Sequence, residues 1–145
     1  MSQFLFRLRT QFSFVVNNKT LGAVLQGIAK SKVNINGYES TKIGRNLNQV
    51  RLVVGVTNFE TAQDLRVVKR VLQNLGVKYH AKKILQMYGF PAEVPGILNT
   101  LYHALGCKTR VIASYFGEKS KIYIDVANLA AAIRVLSQKK LPVCP

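Results

Sequence analysis

Residues 12–36 read Phe12-Ser-Phe-Val-Val-Asn-Asn-Lys-Thr-Leu-Gly-Ala-Val-Leu-Gln-Gly-Ile-Ala-Lys-Ser-Lys-Val-Asn-Ile-Asn36, and the hydrophobic period changes twice within them. The apolar run that ends at Val16 is typical of a β-strand, and a polar turn extends from Asn17 to Gly22. One face of a helix is then marked by apolar residues at i, i+3, i+4, i+7 and i+8: Leu21, Val24, Leu25, Ile28 and Ala29. Alternation returns after Lys32, so the stretch predicts a strand, a tight turn, a helix and a second strand.

The same design recurs later in the chain. Gly96 lies 74 positions after Gly22 (96 − 22), in a segment of similar character. Later in each copy, a shorter shift of 70 positions aligns two further segments, Val56–Ala62 and Val126–Ala132. The second copy therefore has one loop that is four residues shorter. An internal repeat of this kind changes the predicted fold, and we predict tandem units at residues 1–80 and 81–145.

Each unit is predicted to have an α+β, ferredoxin-like fold. Val50–Val56 is a nearly continuous apolar, β-branched run, which indicates a central strand. A helix is predicted from Asn58 to a stop at Gly76. The extended segment Val77–Tyr88 then serves as the last strand of the first unit and the first strand of the second. The order βαββαβ, with right-handed crossovers, gives an antiparallel sheet with two helices on one face and the first and third strands central.

The remaining boundaries are predicted from caps and turn residues. The first helix covers about residues 20–31, with Asn18 or Thr20 as its N-cap. A third helix is expected over about residues 92–105, and a strand over about 108–116. The proline-rich tail, Leu141–Pro145, is expected to form at most an edge strand.

The chain is strongly basic, with 21 Lys and Arg residues against six Asp and Glu and a net charge of +15. Such a charge favours anionic partners and opposes self-association at low salt. A generally basic, solvated surface accounts for the same composition. Nucleic acid therefore stays an alternative partner at this point.

Cysteine and histidine do not indicate a metal site. The chain has two of each, Cys107, Cys144, His80 and His103, and their spacing matches no common ligand motif. Neither a metal nor another cofactor is predicted. Cys107 is expected in a strand as a small core residue, and His103 on a helix surface. A disulfide between the two cysteines is disfavoured in a reducing compartment.

The ends and apolar runs of the sequence indicate a cytoplasmic location. Residues 1–9 are mixed in character and do not form the long apolar core of a secretory signal. No run reaches the roughly 18 apolar residues that a membrane helix needs. A cytoplasmic protein without membrane contact is therefore expected.

Two short motifs resemble the ACT domain, a βαββαβ unit with an acidic-x-Pro-Gly turn after its first strand and an Asn-Ile strand start after its first helix. Glu93-Val-Pro-Gly96 supplies the turn motif in the second unit, and Val33-Asn-Ile35 supplies the strand start in the first. The first unit has Lys19-Thr-Leu-Gly22 at its turn, so each unit keeps a different part of the pattern. The resemblance spans almost the whole chain.

The resemblance implies a non-catalytic regulatory module that binds an amino acid or a similar small ligand between paired domains, most simply as a homodimer. The ligand-binding residues that it implies lie in the two turns and on the facing strand: Asn17, Asn18, Lys19, Thr20, Leu21, Gly22, Asn34, Asn36, Glu93, Val94, Pro95 and Gly96. Backbone N–H groups at a helix N-terminus attract a carboxylate, and glycine allows close approach. Lys19 replaces the usual acidic residue, which argues against recognition of a ligand ammonium there. Ordinary helix capping is the alternative role of both turns.

Two other functions fit the sequence less well. RNA-recognition modules share the βαββαβ order and stack bases on aromatic residues of their central strands. The third strands here, Arg51–Val54 and Lys121–Ile124, contain only Tyr123 as an aromatic, although Lys and Arg can still contact phosphates. An enzyme is disfavoured, because no nucleophile–base set, acid pair or metal motif stands out among so few acidic residues.

Overall fold

The computed structural model describes residues 4–89, 95–142 and 144. Contacts between Cα atoms divide the chain into two compact units. The N-terminal unit comprises residues 9–83 and 117–119, and the C-terminal unit comprises residues 1–8, 84–116 and 120–145. The division predicted at residue 80 falls close to the crossing between Lys83 and Ile84, but each unit also takes a short segment from the other half of the chain.

Strands and helices follow one another in the order β-α-β-β-α, twice. Their bounds are β1 Leu5–Val16, α1 Asn18–Lys30, β2 Ile35–Gly44, β3 Leu47–Val54, α2 Ala62–Asn74, β4 Tyr79–Tyr88, α3 Ile97–Gly106, β5 Val111–Phe116, β6 Ile122–Val126 and α4 Leu129–Leu136. A 3₁₀ turn, Glu118–Ser120, joins β5 to β6. The predicted α+β class with antiparallel strands is confirmed. That the two halves are copies of one repeat stays a prediction.

In the N-terminal unit the strand order is β2-β3-β1-β4, so β1 and β3 are central as predicted. The register pairs Phe12 with Leu52 and Phe14 with Val50. Because side chains alternate along a strand, the aromatic side chains of β1 point to one face, where they join the core with both helices. That core consists of Phe12, Phe14, Val16, Val24, Ile28, Val33, Val50, Leu52, Val54, Val67, Val68 and Leu72.

Both helices of this unit begin at side-chain caps. Asn17 is the N-cap of α1, and its Oδ1 accepts a hydrogen bond from Thr20 N at 2.8 Å. The predicted caps, Asn18 and Thr20, were wrong, since the helix starts two residues earlier than expected. Helix α2 begins at Ala62 instead of Asn58, because Thr61 and Asp64 form a capping box.

Helices α1 and α2 approach each other at Gly27. A Cβ atom added to Gly27 would lie 2.9 Å from Val71 Cγ1, closer than real Cβ contacts. Gly22, five residues earlier in the same helix, is different, since an added Cβ would meet no atom within 4 Å. The two glycines of α1 therefore have different roles, one at a helix crossing and one on an open surface.

In the C-terminal unit the strand order is β1-β4-β6-β5, in which the residues of β1 up to Leu8 belong to this unit. Its core includes Phe4 from the start of the chain together with residues of β4, α3, β6 and α4. Helix α3 starts at Ile97; the first residues predicted for it, 92–94, lie outside the described residues. Gly96 precedes α3 with φ of 84°, a conformation that favours glycine.

The C-terminal tail differs from the prediction. Cys107 follows α3 and is paired in a disulfide with Cys144, so it is neither in a strand nor an isolated core residue. The expected edge strand is not formed by the described tail residues, where Leu141 instead packs against the core. His103 is exposed on α3 as predicted, and its Nδ1 lies 3.2 Å from the carbonyl oxygen of Cys144. No helix in the described residues has the length and apolar character of a membrane span.

Candidate functional site

A cavity of about 710 Å³ lies in the N-terminal unit, where β1 ends and α1 begins. Its lining comes from β1 and the turn that follows, from β3, and from the segment that joins α2 to β4. The lining residues are Phe14, Val15, Val16, Asn17, Thr20, Leu47, Gln49, Leu75, Gly76, Val77, Lys78 and His80. A volume of this size is within the range of cavities that bind small molecules.

One wall of this cavity is apolar and open to solvent. Val15, Leu47 and Leu75 keep 46%, 45% and 41% of their surface exposed, although each is a large hydrophobic residue. Val15 points away from the core because it alternates with Phe14 and Val16 along β1. Leu47 opens β3 beside the end of β1, and Leu75 ends α2. Exposed apolar side chains gathered in a concave place are a common mark of binding sites.

The lining also includes three polar residues, Gln49, Lys78 and His80, of which Gln49 pairs in register with Val15. Within the described residues, no hydrogen bond or ion pair engages the side chains of these three residues. His80 is the second residue of β4, and Lys78 lies immediately before the strand. If the chain is already extended at Lys78, side chains two positions apart share one face. The cavity therefore has donors available to a ligand and no acidic residue in its lining.

The backbone donors of the turn are largely used within the protein. Asn17 caps Thr20 N, and Asn46 Oδ1 accepts from Asn18 N at 3.0 Å. Leu21 N donates to the carbonyl oxygen of Asn17 at 2.9 Å. Asn18 Oδ1 accepts from Asn48 Nδ2 at 2.9 Å, which ties the turn to β3. A ligand in the cavity would therefore contact side chains more than the helix terminus.

The other residues predicted in this turn do not all reach the cavity. Of the six, only Asn17 and Thr20 line it. Lys19 is exposed on the first turn of α1, and Leu21 packs against the core. Gly22 lies inside α1 and not in the turn, and it does not line the cavity.

The predicted facing residues, Asn34 and Asn36, lie at the other end of the sheet. Asn48 of β3 pairs with Val16 of β1 and with Lys42 near the end of β2. The start of β2 pairs with Val54, six residues further along β3, or about 20 Å at about 3.3 Å per residue. The structure therefore does not bring these asparagines to the turn of the same unit.

Asn36 belongs to a buried polar network centred on Arg9. Arg9 is 1% exposed, and its Nη2 donates to Asn36 Oδ1 at 2.7 Å and to the carbonyl oxygen of Val54 at 2.8 Å. Its Nη1 donates to the carbonyl oxygen of Thr57 at 3.0 Å, and its Nε to Glu60 Oε1 at 3.1 Å. The network fixes the loop between β3 and α2 against β1. Its groups are paired with one another, as a structural network requires.

Glu60 is the anionic member of this network. Burial acts to raise the pKa of its carboxyl group, but hydrogen bonds outweigh burial and hold the pKa below the ordinary value. The donors are the hydroxyl and backbone N–H of Thr10, the guanidinium of Arg9 and Nζ of Lys83. Glu60 is therefore ionised near neutral pH and engaged by its neighbours.

Beyond this network, Asn34 Nδ2 donates to Glu118 Oε1 at 2.7 Å. Glu118 Oε2 also lies 3.3 Å from Thr57 Oγ1. Both asparagines that the ACT resemblance suggested as ligand contacts thus have partners within the N-terminal unit.

The turn of the second unit is only partly described. Pro95 and Gly96 are exposed ahead of α3, and Thr100 N donates to the carbonyl oxygen of Gly96 at 2.9 Å. Glu93 and Val94 lie outside the described residues. Among the described residues, no three His, Cys, Asp or Glu side chains are grouped to hold a metal ion.

Sequence reasoning missed most of the cavity. Lys78 and His80 come from a segment that was predicted correctly as extended, and their spacing signals one shared face. Nothing local in the sequence links that face to the turn at Asn17, because the link is the pairing of β4 beside β1.

The whole chain is similar in structure to protein BT0572 from Bacteroides thetaiotaomicron. The TM-score is 0.74 and the identity 19%, over 96% of this chain and 93% of that one. The ligand-free regulatory subunit of aspartate kinase from Thermus thermophilus is similar with a TM-score of 0.61 and 14% identity, over 93% and 97%. The corresponding subunit from Thermus flavus has a TM-score of 0.58 and 14% identity, over 92% and 94%.

These likenesses concern the fold. They support the ACT-like fold that the two motifs predicted, over nearly the full length of the chain. No protein-family model matches the sequence, and no curated protein matches it.

Proposed function

We propose that this chain is a non-catalytic regulatory module whose cavity at the β1–α1 turn binds a small ligand. The observation that carries the proposal is the cavity itself, whose lining combines three exposed apolar residues with unengaged polar side chains. The ACT-like fold supports a regulatory role, because two proteins of similar fold are named as regulatory subunits of aspartate kinase.

The absence of catalytic activity is part of the proposal. The most enclosed acid of the N-terminal unit, Glu60, is held by Thr10, Arg9 and Lys83 and is not presented to the cavity. The lining has no acid–base pair, since Lys78 and His80 have no acidic partner there. Binding without chemistry is what these side chains can perform.

The test is ligand binding to the intact chain and to two matched variants. A panel of the standard amino acids and their deaminated carboxylate analogues is screened by thermal shift, because a ligand of the native state raises its stability. Val15→Arg places a long side chain in the cavity. Ile112→Arg is the control, since Ile112 is similarly exposed, at 43%, and lies outside the lining.

We expect at least one panel member to stabilise the native chain and the Ile112→Arg variant, and to lose its effect on Val15→Arg. A panel without any binder would refute the proposal. Equal binding by the two variants would show that a ligand binds elsewhere.

A homodimer is also proposed. Strand β2 is an outer strand of the N-terminal unit, and outer strands present unpaired backbone groups that proteins tend to cover. The ACT resemblance implies pairing as well. The +15 charge opposes association at low salt, so the dimer is expected to tighten as salt rises.

Nucleic-acid binding is a second candidate, favoured by the outer side of α1 and α2. Five exposed basic residues stand on the two helices, Lys19, Lys30, Arg66, Lys69 and Arg70, and Asp64 is their only acidic residue. The third strands offer no base-stacking surface, because their one aromatic residue, Tyr123, is fully buried. Any binding would therefore rest on phosphate contacts and weaken steeply as salt rises.

The two candidates are separated by one titration. A random single-stranded oligonucleotide is added to the native chain and to Arg66→Gln/Arg70→Gln, at low and moderate salt. Tight, salt-sensitive binding that the double variant loses would favour the second candidate. Weak oligonucleotide binding that is the same in the native chain and the double variant would favour the ligand-binding proposal.

A further inference from the structure

The cavity beside α1 has an uneven distribution of charge. Lys78 contributes a positive charge and His80 a ring with N–H donor capacity, while none of the twelve lining residues is acidic. The first turn of α1 has no acidic residue either. Glu60, the most enclosed acid of the N-terminal unit, is bonded to Arg9 and Thr10 and does not line the cavity.

The apolar wall sets the other requirement. Val15, Leu47 and Leu75 remain 41–46% exposed and offer contacts to an apolar body. A ligand that uses both the charge and the apolar residues has an anionic head near Lys78 and a branched or aromatic hydrocarbon body against the apolar wall. An ammonium group next to the head would lie near the positive charge of Lys78 without an acidic partner, which opposes its binding.

Resting on the proposed function, we infer that the ligand of this cavity is a small carboxylate with an apolar body and no amino group, and that Lys78 and His80 select it. The ligand class includes 2-oxo acids and simple branched or aryl carboxylates. Amino acids of the same carbon skeleton are discriminated against. Selection rests on charge, because the apolar wall is equally available to both.

The probes are pairs of molecules that differ in the amino group. They are 3-phenylpropanoate with phenylalanine, and 4-methylpentanoate with leucine, and each is titrated calorimetrically into the intact chain. We expect the dissociation constant of the deaminated member of each pair to be lower than that of its amino acid by a factor of about ten or more. Raised salt should narrow the difference, because the cavity is open to solvent.

Variants test which residues make the choice. Lys78→Met and His80→Leu should weaken binding of 3-phenylpropanoate by about ten-fold each, while Lys69→Met, an exposed change of the same charge outside the cavity, should not. Both cavity residues are exposed, so their variants should keep the native melting temperature, which is measured alongside.

The outcomes separate this inference from the proposed function. If phenylalanine or leucine binds as tightly as its deaminated partner, the inference is overturned and the cavity is still a ligand site. If Lys69→Met weakens binding as much as Lys78→Met, selection by the cavity residues is overturned. If neither the four probes nor any panel compound binds, the proposed function fails together with the inference.

Discussion

Replacing Arg9 by methionine should cost this protein a large part of its stability. The guanidinium group is 1% exposed and makes four hydrogen bonds of 3.1 Å or less, to Glu60, Asn36 and the carbonyl oxygens of Val54 and Thr57. Methionine has a similar length and fills much of the same space, so the change removes mainly the charge and the donors.

The size of the stability loss is set by the buried groups that lose their hydrogen-bond donors. In the variant, Asn36 Oδ1 and the carbonyl oxygen of Val54 stay buried but lose these donors. Each buried acceptor left without a donor lowers the free energy of unfolding by about 1–3 kcal/mol. Glu60 loses one cation but keeps Thr10 and Lys83. Removing one partner of a buried ion pair typically costs about 3–5 kcal/mol, and we expect a loss in that range. A domain of ordinary stability, about 5–15 kcal/mol, would still fold.

Urea unfolding followed by circular dichroism measures this loss. With a slope of roughly 2 kcal/mol per molar urea, the midpoint should fall by about 2 M. Arg51→Met is the control, since Arg51 and Glu39 pair at 3.0 Å with side chains 20% and 27% exposed. Such a pair is worth at most about 1 kcal/mol. Arg9→Lys should recover little, because an ammonium does not reproduce the fork of donors. A loss from Arg9→Met no larger than that from Arg51→Met would refute the reasoning.

Three other expectations follow from the structure. Because the pKa of Glu60 lies below the ordinary value of about 4.5, its ionised form stabilises the protein above that pH, and this stabilisation is lost as pH falls through the lower folded pKa. The difference in free energy of unfolding between the native chain and Glu60→Gln, measured with urea, should therefore shrink as the pH falls from 7 to 3. A difference that stays constant over this range would contradict the expectation. Gly22→Ala should raise the free energy of unfolding by about 0.5–1 kcal/mol, since the site is helical and open, whereas Gly27→Leu should lower it by about 1–3 kcal/mol through its contact with Val71. Equal shifts from the two glycine variants would show that the helix crossing is not tight. Sedimentation of the protein alone should show a dimer that strengthens from low to moderate salt, and a monomer at every salt concentration would refute the proposed pairing.

The regular elements could be predicted because their signal is local. The apolar spacing of residues 21–29 specified α1, and the run Val50–Val56 specified the central strand β3. Caps were harder to predict, because several neighbouring residues were suitable. Asn58 and Thr61 can both cap a helix, and the reciprocal bond with Asp64 decides in favour of Thr61.

The buried polar network could not be predicted, for a different reason. Asn36 was predicted as a ligand contact and Arg9 was assigned no role, yet Arg9 and Asn36 are 1% and 2% exposed. The buried guanidinium of Arg9 pairs with Glu60, which lies 51 positions further along the chain, and no local pattern encodes that pairing. Prediction of the cavity lining has the same limitation. Asn17 was predicted from its turn, but Lys78 could be assigned to the lining only once the strand order was known.

Strands β1 and β4 each change unit partway along, between Leu8 and Arg9 and between Lys83 and Ile84. Division of this chain after residue 80 would therefore not give two self-sufficient halves. Its first product would carry Phe4, a 2% exposed member of the other half's core, and would lack residues 117–119 of its own unit. Either product made by itself would lack part of a unit, and complementation would require both to be produced together.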